Sequence, residues 1–291
     1  MKLNKCVLLA LITVSLSISQ SWKVNLKLKL FDSTAVAQTV SDHKAEADRL
    51  FEQGNKQYGR SQFKQALKSW EKSLTIYREI GNSQGIANSL GNLGLAYDSL
   101  GDYPKAIQYH HQSLAISKKI GNPFGQGQSL NNLGLAYDSF GDYPKAIQYH
   151  HQSLAIFKKI GYPFGQGQSL NNLGNTYYRL GDYPKAIQYH HQSLAIKKQI
   201  GYPLGQAQSL GSLGVAYYRL GDYPKAIQYH HQSLAISKKI GYPLGQAQSL
   251  GNLGNTYYRL GDYPKAIQYH HQSLAIKKQI GYPLGQAQSL G

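Results

Sequence analysis

Cysteine is almost absent: Cys6 is the single one in 291 residues, so neither an internal disulfide nor a CxxC zinc site can form. Acid is scarce as well. Fourteen aspartates and glutamates face 31 lysines and arginines, for a formal net charge of +17. No glutamate follows Glu79, and the later carboxylates are Asp98, Asp102, Asp138, Asp142, Asp182, Asp222 and Asp262. Chemistry that needs two cooperating carboxylates therefore has little to draw on. Long apolar runs are missing too. The longest, Cys6 to Ile18, is too short for a comfortable membrane span. Apolar residues nevertheless make up 41% of the chain and recur at regular intervals, which excludes both a charge-driven disordered chain and a polytopic membrane protein.

The basic excess is uneven. Residues 1–40 hold 5 basic and 1 acidic residue, residues 41–100 hold 8 and 7, and residues 101–291 hold 18 and 6. Lys2 and Lys5 followed by the apolar run to Ile18 read as an export signal, so the chain is expected to be exported: periplasmic, extracellular or membrane-anchored by an uncleaved signal. Small residues at Ser17 and Ser19, and at Ala35 and Ala37, offer two cleavage sites, with cleavage after Ala37 preferred. An uncleaved anchor and a misassigned start are the alternatives. Leu3-Asn4-Lys5 lacks the small apolar residues that would precede a lipidated Cys6.

The remainder is repetitive. The segment GDYPKAIQYHHQSLAI starts at Gly101, Gly141, Gly181, Gly221 and Gly261, always 40 residues apart. A divergent first copy fits the same frame, with Ala66, Ser73, Leu74 and Ile76 aligned to Ala106, Ser113, Leu114 and Ile116, and with Trp70 standing where His110 does. Its mixed charges, Glu46, Asp48, Glu52 and Glu71, suit an end cap that faces water. Within a unit, Ile107, His110, Ser113, Leu114 and Ser117 recur at helical spacing, which predicts one helix with a buried stripe. Asp102 is its N-cap, Pro104 sits in its first turn, and Lys118 and Lys119 sit in its last. A preceding helix carries Ser89, Leu90, Leu93, Tyr97 and Leu100, and ends at Gly101. Gly94 marks a close approach between the two helices.

The run Asn252-Leu253-Gly254-Asn255-Thr256-Tyr257-Tyr258-Arg259-Leu260-Gly261-Asp262-Tyr263, followed by Ala266, Tyr269, Leu274 and Ile276, resembles the tetratricopeptide repeat (TPR) over residues 44–291. Its length is similar to that of Pins-type, kinesin-light-chain-type and bacterial TPR proteins. The resemblance implies an all-α fold, a TPR α-solenoid in which antiparallel helix pairs form a right-handed superhelix and the first helix of each pair lines a concave groove. Residues 42–291 would form it, in repeats at about 42–82, 83–122, 123–162, 163–202, 203–242 and 243–282 with a partial helix over 283–291, after a signal and cleavage region at 1–37. Ser113 and its copies depart from the family pattern, where alanine is usual.

The family's groove positions, carried over residue by residue, fall on Asn92, Asn132, Asn172, Asn175, Tyr178, Arg179, Tyr218, Arg219, Asn252, Asn255, Tyr258 and Arg259. Asparagine amides can grip an extended backbone, and arginine adds bidentate carboxylate contacts. The expected activity is therefore non-catalytic: a scaffold holding an extended peptide or flexible tail, with its acidic residues over Arg179, Arg219 and Arg259. Retention of these residues by copying alone is the competing reading, because duplication reproduces any residue. Binding of an anionic polymer, nucleic acid or envelope polymer, by the basic surface is the second functional reading, although an export signal argues against nucleic acid. A third is that the chain is the repeat portion of a larger signalling protein. End-to-end self-association is expected if the last helix is uncovered.

Ten of the eleven histidines form adjacent pairs beginning at His110, His150, His190, His230 and His270. Adjacent helical residues point about 100° apart, and zinc needs about four close ligands, so the expectation is no metal. Instead His110 and its copies should fill the slot of Trp70, with His111 in solvent; pH sensing stays open. No cofactor or small-molecule substrate is expected, because no dinucleotide fingerprint, phosphate loop or catalytic triad can be assembled.

Overall fold

The computed structural model describes residues 38–281, and every element in it is a helix. The expected signal with its two expected cleavage sites, and the partial helix expected over 283–291, lie outside the described residues. In chain order the helices are α1 (38–59), α2 (Phe63–Glu79), α3 (Ser83–Ser99), α4 (Tyr103–Lys119), α5 (Pro123–Phe140) and α6 (Tyr143–Lys159). They continue as α7 (Pro163–Leu180), α8 (Tyr183–Gln199), α9 (Pro203–Leu220), α10 (Tyr223–Lys239), α11 (Pro243–Arg259) and α12 (Tyr263–Gln279). The helix at 38–59 begins ahead of residue 42. Two compact units divide inside α3, between Ser89 and Leu90.

In the first unit α1 and α2 close around Trp70, which is 1% exposed and donates its indole N–H to the Phe51 carbonyl at 3.1 Å. Gly54 lies beneath the indole, where a Cβ would overlap the ring. Ser73 donates to the Ala47 carbonyl at 2.9 Å, and the Tyr77 hydroxyl donates to Asp48 Oδ1 at 2.5 Å.

The second unit is a solenoid of antiparallel pairs. Each helix from α4 to α12 packs on its sequence neighbours, and the first helices of successive pairs, α5, α7, α9 and α11, also touch one another. No two second helices of successive pairs approach to that degree among the described residues, so the first helices line the inner side of the curve. The helix starts follow the sequence signals. Asp142 accepts from the Lys145 amide at 3.2 Å with Pro144 in the first turn, and Gly141 ends α5 in the left-handed region at φ 92°. Asn122 caps α5 by accepting from the Gly125 amide at 2.9 Å; Tyr162, Tyr202 and Tyr242 replace it later without a side-chain cap.

Each apolar cluster draws on three consecutive helices. Leu114 and Ile107 of α4, Leu130, Leu133 and Tyr137 of α5, and Tyr149 and Ile156 of α6 make one, and the pattern recurs along the unit. No pair buries its apolar face alone, which is why stacking is obligatory. The serines in the family's alanine position are accommodated by hydrogen bonds: Ser193 donates to the Gly167 carbonyl at 2.8 Å, and Ser153 lies 3.0 Å from Ser169 of the next pair.

The histidine ladder is core. His110, His150, His190 and His230 are at most 1% exposed, and each ring fills the space left by a glycine on the partner helix. A Cβ on Gly174 would lie 2.6 Å from His190 Cε1. The close approach expected at Gly94 is thus between an imidazole and a bare backbone. His111 and its copies are exposed, yet not idle: the His111 ring meets the edge of Tyr149 at 5.8 Å. Burial pushes His150 and His190 down to about 3 and His230 to about 4.

Two outcomes are expected. Gly174→Ala should cost about 3 kcal/mol by overpacking the His190 ring, and the penalty should shrink in a His190→Ala background, as read from urea denaturation of the four-member cycle. Because the unfolded imidazoles accept protons near 6.5 and the folded ones do not until about 3 to 4, stability is full above pH 6.5 and falls on acidification. The loss at pH 5 should be roughly 2 kcal/mol for each of His150, His190 and His230, and a melting temperature flat from pH 8 to pH 5 would contradict the burial account.

Candidate functional site

The inner side is built by α5, α7, α9 and α11. Their exposed stripes bring together Asn175 and Tyr178 of α7 with Asn252 and Asn255 of α11, which share the wall of one cavity of about 490 Å³ with Ser212 and Val215 of α9. Its wall contains no acidic side chain. Asn172 donates to Asn131 Oδ1 of the preceding pair at 3.1 Å. Asn92 and Asn132 sit on the same stripe of α3 and α5, outside the cavity wall.

The arginines form straps between pairs. Arg179 pairs with Asp138 of the preceding pair and lies 5.3 Å from the centre of the Tyr143 ring. Arg219 Nε donates to the Tyr178 hydroxyl at 2.9 Å, and Arg259 Nε to the Tyr218 hydroxyl at 3.1 Å. A carboxylate thus offsets the charge of Arg179, whereas neutral phenols hold Arg219 and Arg259. Tyr258 is 60% exposed and packs edge-on against Tyr263.

The rest of the charge is similarly sorted. Each second-helix N-cap aspartate holds a lysine, as in Asp142–Lys145 at 2.8 Å, and that lysine lies 5.1 Å over the Tyr137 ring. The Lys105 class therefore adds little net charge. From α4 to α12, the uncompensated surface charge of the second helices resides on Lys118, Lys119, Lys158, Lys159, Lys198, Lys238, Lys239 and Lys278, which have no carboxylate partner among the described residues. Among those residues, too, no three histidine, cysteine, aspartate or glutamate side chains gather as a metal site.

The buried stripe that includes Ser117 also holds two lysines. Tyr77, Ser117, Phe157, Lys197, Ser237 and Lys277 occupy the same position in successive second helices, directly after the invariant segment. The position belongs to the buried stripe, so two of the last-turn basic residues point inward rather than to water. Lys197 is 4% exposed; its Nζ donates to Ser209 Oγ at 2.9 Å and to Asn171 Oδ1 at 3.3 Å. Burial pushes its ammonium down to about 8. Lys277, 9% exposed, stands in the cavity wall and is likewise lowered by burial. The available signal was a lysine that alternates with serine and phenylalanine in an otherwise apolar or small-residue stripe.

On α12, Tyr263 and Ile267 are 56% and 57% exposed, where their counterparts Tyr223 and Ile227 are half-buried.

The family model for the tetratricopeptide repeat matches residues 57–119, 99–159, 125–199, 165–239 and 205–279. No curated protein matches the chain in sequence. Among solved structures, BtubC (BKLC) from P. vanneervenii is similar at 20% identity and a TM-score of 0.64, covering 84% of this chain and 92% of that one. A Rap protein complexed with competence and sporulation factor is similar at 16% identity and a TM-score of 0.64, over 84% of this chain and 73% of its own. A signal transduction ATPase with a tetratricopeptide repeat sensor from Pyrococcus horikoshii reaches a TM-score of 0.70 at 20% identity, covering 86% of this chain and 38% of that longer one. Identities of this size establish a shared fold. Among the described residues no helix is long and apolar enough to cross a membrane.

The buried lysine has a pH signature of the same sign as that of the histidines, displaced to alkaline pH. Unfolded Lys197 keeps its proton to about 10.5 and folded Lys197 only to about 8, so stability rises with pH across that window and the charged form costs up to about 3 kcal/mol at pH 7. Lys197→Met should raise the denaturation midpoint at pH 7 and remove the alkaline rise relative to the unaltered chain. An equally steep rise in both proteins would show that the ammonium is not desolvated.

Proposed function

Since the chain belongs to the tetratricopeptide repeat family, we propose that it is a non-catalytic scaffold whose inner groove holds an extended, acidic peptide or flexible tail of another protein. The observation that carries this reading is the unequal state of the three arginines. Arg179 has its counter-charge in Asp138, while Arg219 and Arg259 lean on tyrosine hydroxyls and have no carboxylate partner among the described residues. The acidic segment is accordingly placed at the C-terminal end, over Arg219 and Arg259, and the asparagines of α7 and α11 take its backbone. Exchange of a phenol for a carboxylate strengthens the arginine's hydrogen bond, because both partners are then charged. The Rap protein of similar fold named above is complexed with competence and sporulation factor, which supports a binding role. Action outside the cytoplasm, as the N-terminal signal implies, belongs to the same proposal.

A second reading has its own observation. The last-turn lysines have no carboxylate partners among the described residues and recur at one end of each second helix, a row suited to an anionic polymer. It uses a surface other than the groove, so the two are separable by mutation.

A capped hexaglutamate peptide serves as the probe. Arg219→Gln with Arg259→Gln should weaken its binding about tenfold and flatten the salt dependence, while Arg179→Gln, which removes a charge already paired, should matter less. Equal affinity and equal salt dependence in the double variant and the unaltered chain would remove the groove reading; loss instead on Lys238→Gln with Lys239→Gln would favour the polymer surface.

A further inference from the structure

The second helices carry an outward stripe that neither the groove nor the core uses. On α6 it runs Gln148, His151, Ala155 and Lys158, three or four residues apart and all exposed. The same residue types recur at 40-residue intervals from α4 to α12. Ring contacts tie one stripe to the next. His151 meets the edge of Tyr189 on the following second helix at 5.8 Å, and the Tyr189 hydroxyl lies 3.4 Å from His151 Nε2. His111, His191 and His231 meet Tyr149, Tyr229 and Tyr269 in the same way at 5.7 to 6.0 Å. The imidazoles are therefore fixed parts of the surface. The stripe also has one sign of charge, since none of these helices contains an acidic residue. Around His151 the titratable groups are Lys158 and the buried neutral His150 of its own helix and Tyr189 of the next. Partial burial, and then repulsion from Lys158, holds His151 below the ordinary imidazole value.

We propose that this outer stripe binds an acidic polysaccharide, whose carboxylates lie between the histidine and the lysine of each repeat and whose hydroxyls meet the glutamine amides. Three features select that chemistry. A cation and an imidazole in every repeat reward a polymer with regularly spaced anions, contact by contact. The exposed amide of Gln148 both donates and accepts, which suits the neutral hydroxyls beside each carboxylate and would be idle against a chain of phosphates. Ala155 keeps the helix low between His151 and Lys158, a span of about 10 Å in which a sugar ring can lie. A carboxylate seated there would replace the repulsion from the lysine with attraction, so the bound imidazoles take up protons at a higher pH than the free ones and binding tightens on mild acidification. Carboxylates of ordinary strength, near 4, stay ionised in that range. This inference rests on the last-turn lysine reading and not on the groove, and it adds the class of polymer, the role of the histidines and the direction of the pH response.

Polygalacturonate is the probe, titrated calorimetrically at pH 7.5 and pH 6.0, with circular dichroism checking the helix content of each variant at both. The expected result is binding about tenfold tighter at pH 6.0, with net proton uptake read from two buffers of different ionisation enthalpy. His151→Gln with His191→Gln and His231→Gln should remove most of that gain and leave the affinity at pH 7.5 within about twofold. Lys158→Gln with Lys198→Gln and Lys238→Gln should weaken binding about tenfold at both pH values. A pH dependence unchanged in the histidine variant would overturn the histidine part and leave the lysine row standing. Tighter binding of oligothymidylate, or of phosphatidylglycerol vesicles, at equal anion concentration would overturn the polysaccharide in favour of a phosphate polymer or a bilayer. Loss of polygalacturonate binding in Arg219→Gln with Arg259→Gln would place the polymer in the groove and overturn the outer stripe. No binding of polygalacturonate alone would remove the inference, and no binding of any of the three probes would remove the lysine reading with it.

Discussion

The solenoid depends on a ring from the second helix of each pair lying where the first helix has no side chain. Trp70 over Gly54 does this in the first unit, and His110, His150, His190 and His230 over Gly94, Gly134, Gly174 and Gly214 do it in the second. The contact sets how closely two helices approach. That approach in turn decides whether Leu114, Leu130 and Leu133, and their copies, can meet as one cluster across three helices. An imidazole is a costly occupant, since His150 has no protein hydrogen-bond partner at either ring nitrogen. The bulk and shape of the His150 ring, not its polarity, are what the packing uses, and burial enforces its neutral form.

Charge follows from the same architecture. The second helices α4, α6, α8, α10 and α12 contain no acidic residue, and the aspartate that caps each of them is neutralised by its own first-turn lysine. Positive charge is left in two places, the last turns of the second helices and the C-terminal part of the groove. The groove arginines are held between pairs, so a ligand that competes for Arg219 or Arg259 also acts on the contacts that link one repeat to the next. In the proposed use of the groove, recognition would be coupled to the contacts between first helices at these residues.

Much of the fold was legible because it is local. The 40-residue spacing, the Asp102 and Pro104 start and the glycine stops each act within a few residues. The burial of His110 was legible too, through its alignment with Trp70. The candidate site was legible only as positions. That Asn175, Tyr178, Asn252 and Asn255 share one cavity, that Arg179 already has a partner, and that Arg219 and Arg259 rest on tyrosines depend on contacts about 40 residues apart. The inward turn of Lys197 and Lys277 could have been read from the stripe of Ser113 and Ser117, since helical spacing places position 197 on the buried side; the lysine's usual preference for water obscured it.

By itself the sequence determined the helices, the aspartate caps of the second helices and the helix pairing, because propensity, capping and periodicity are short-range and the repeats are near-copies. Only the tertiary structure decided which of the identical-looking residues remain chemically distinct. Arg179 and Arg219 hold the same position in successive repeats, and whether such an arginine meets a carboxylate or a phenol depends on the neighbouring pair stacked against it. Stacking brings side chains from different repeats within contact distance, and no pattern within a single repeat specifies what they meet.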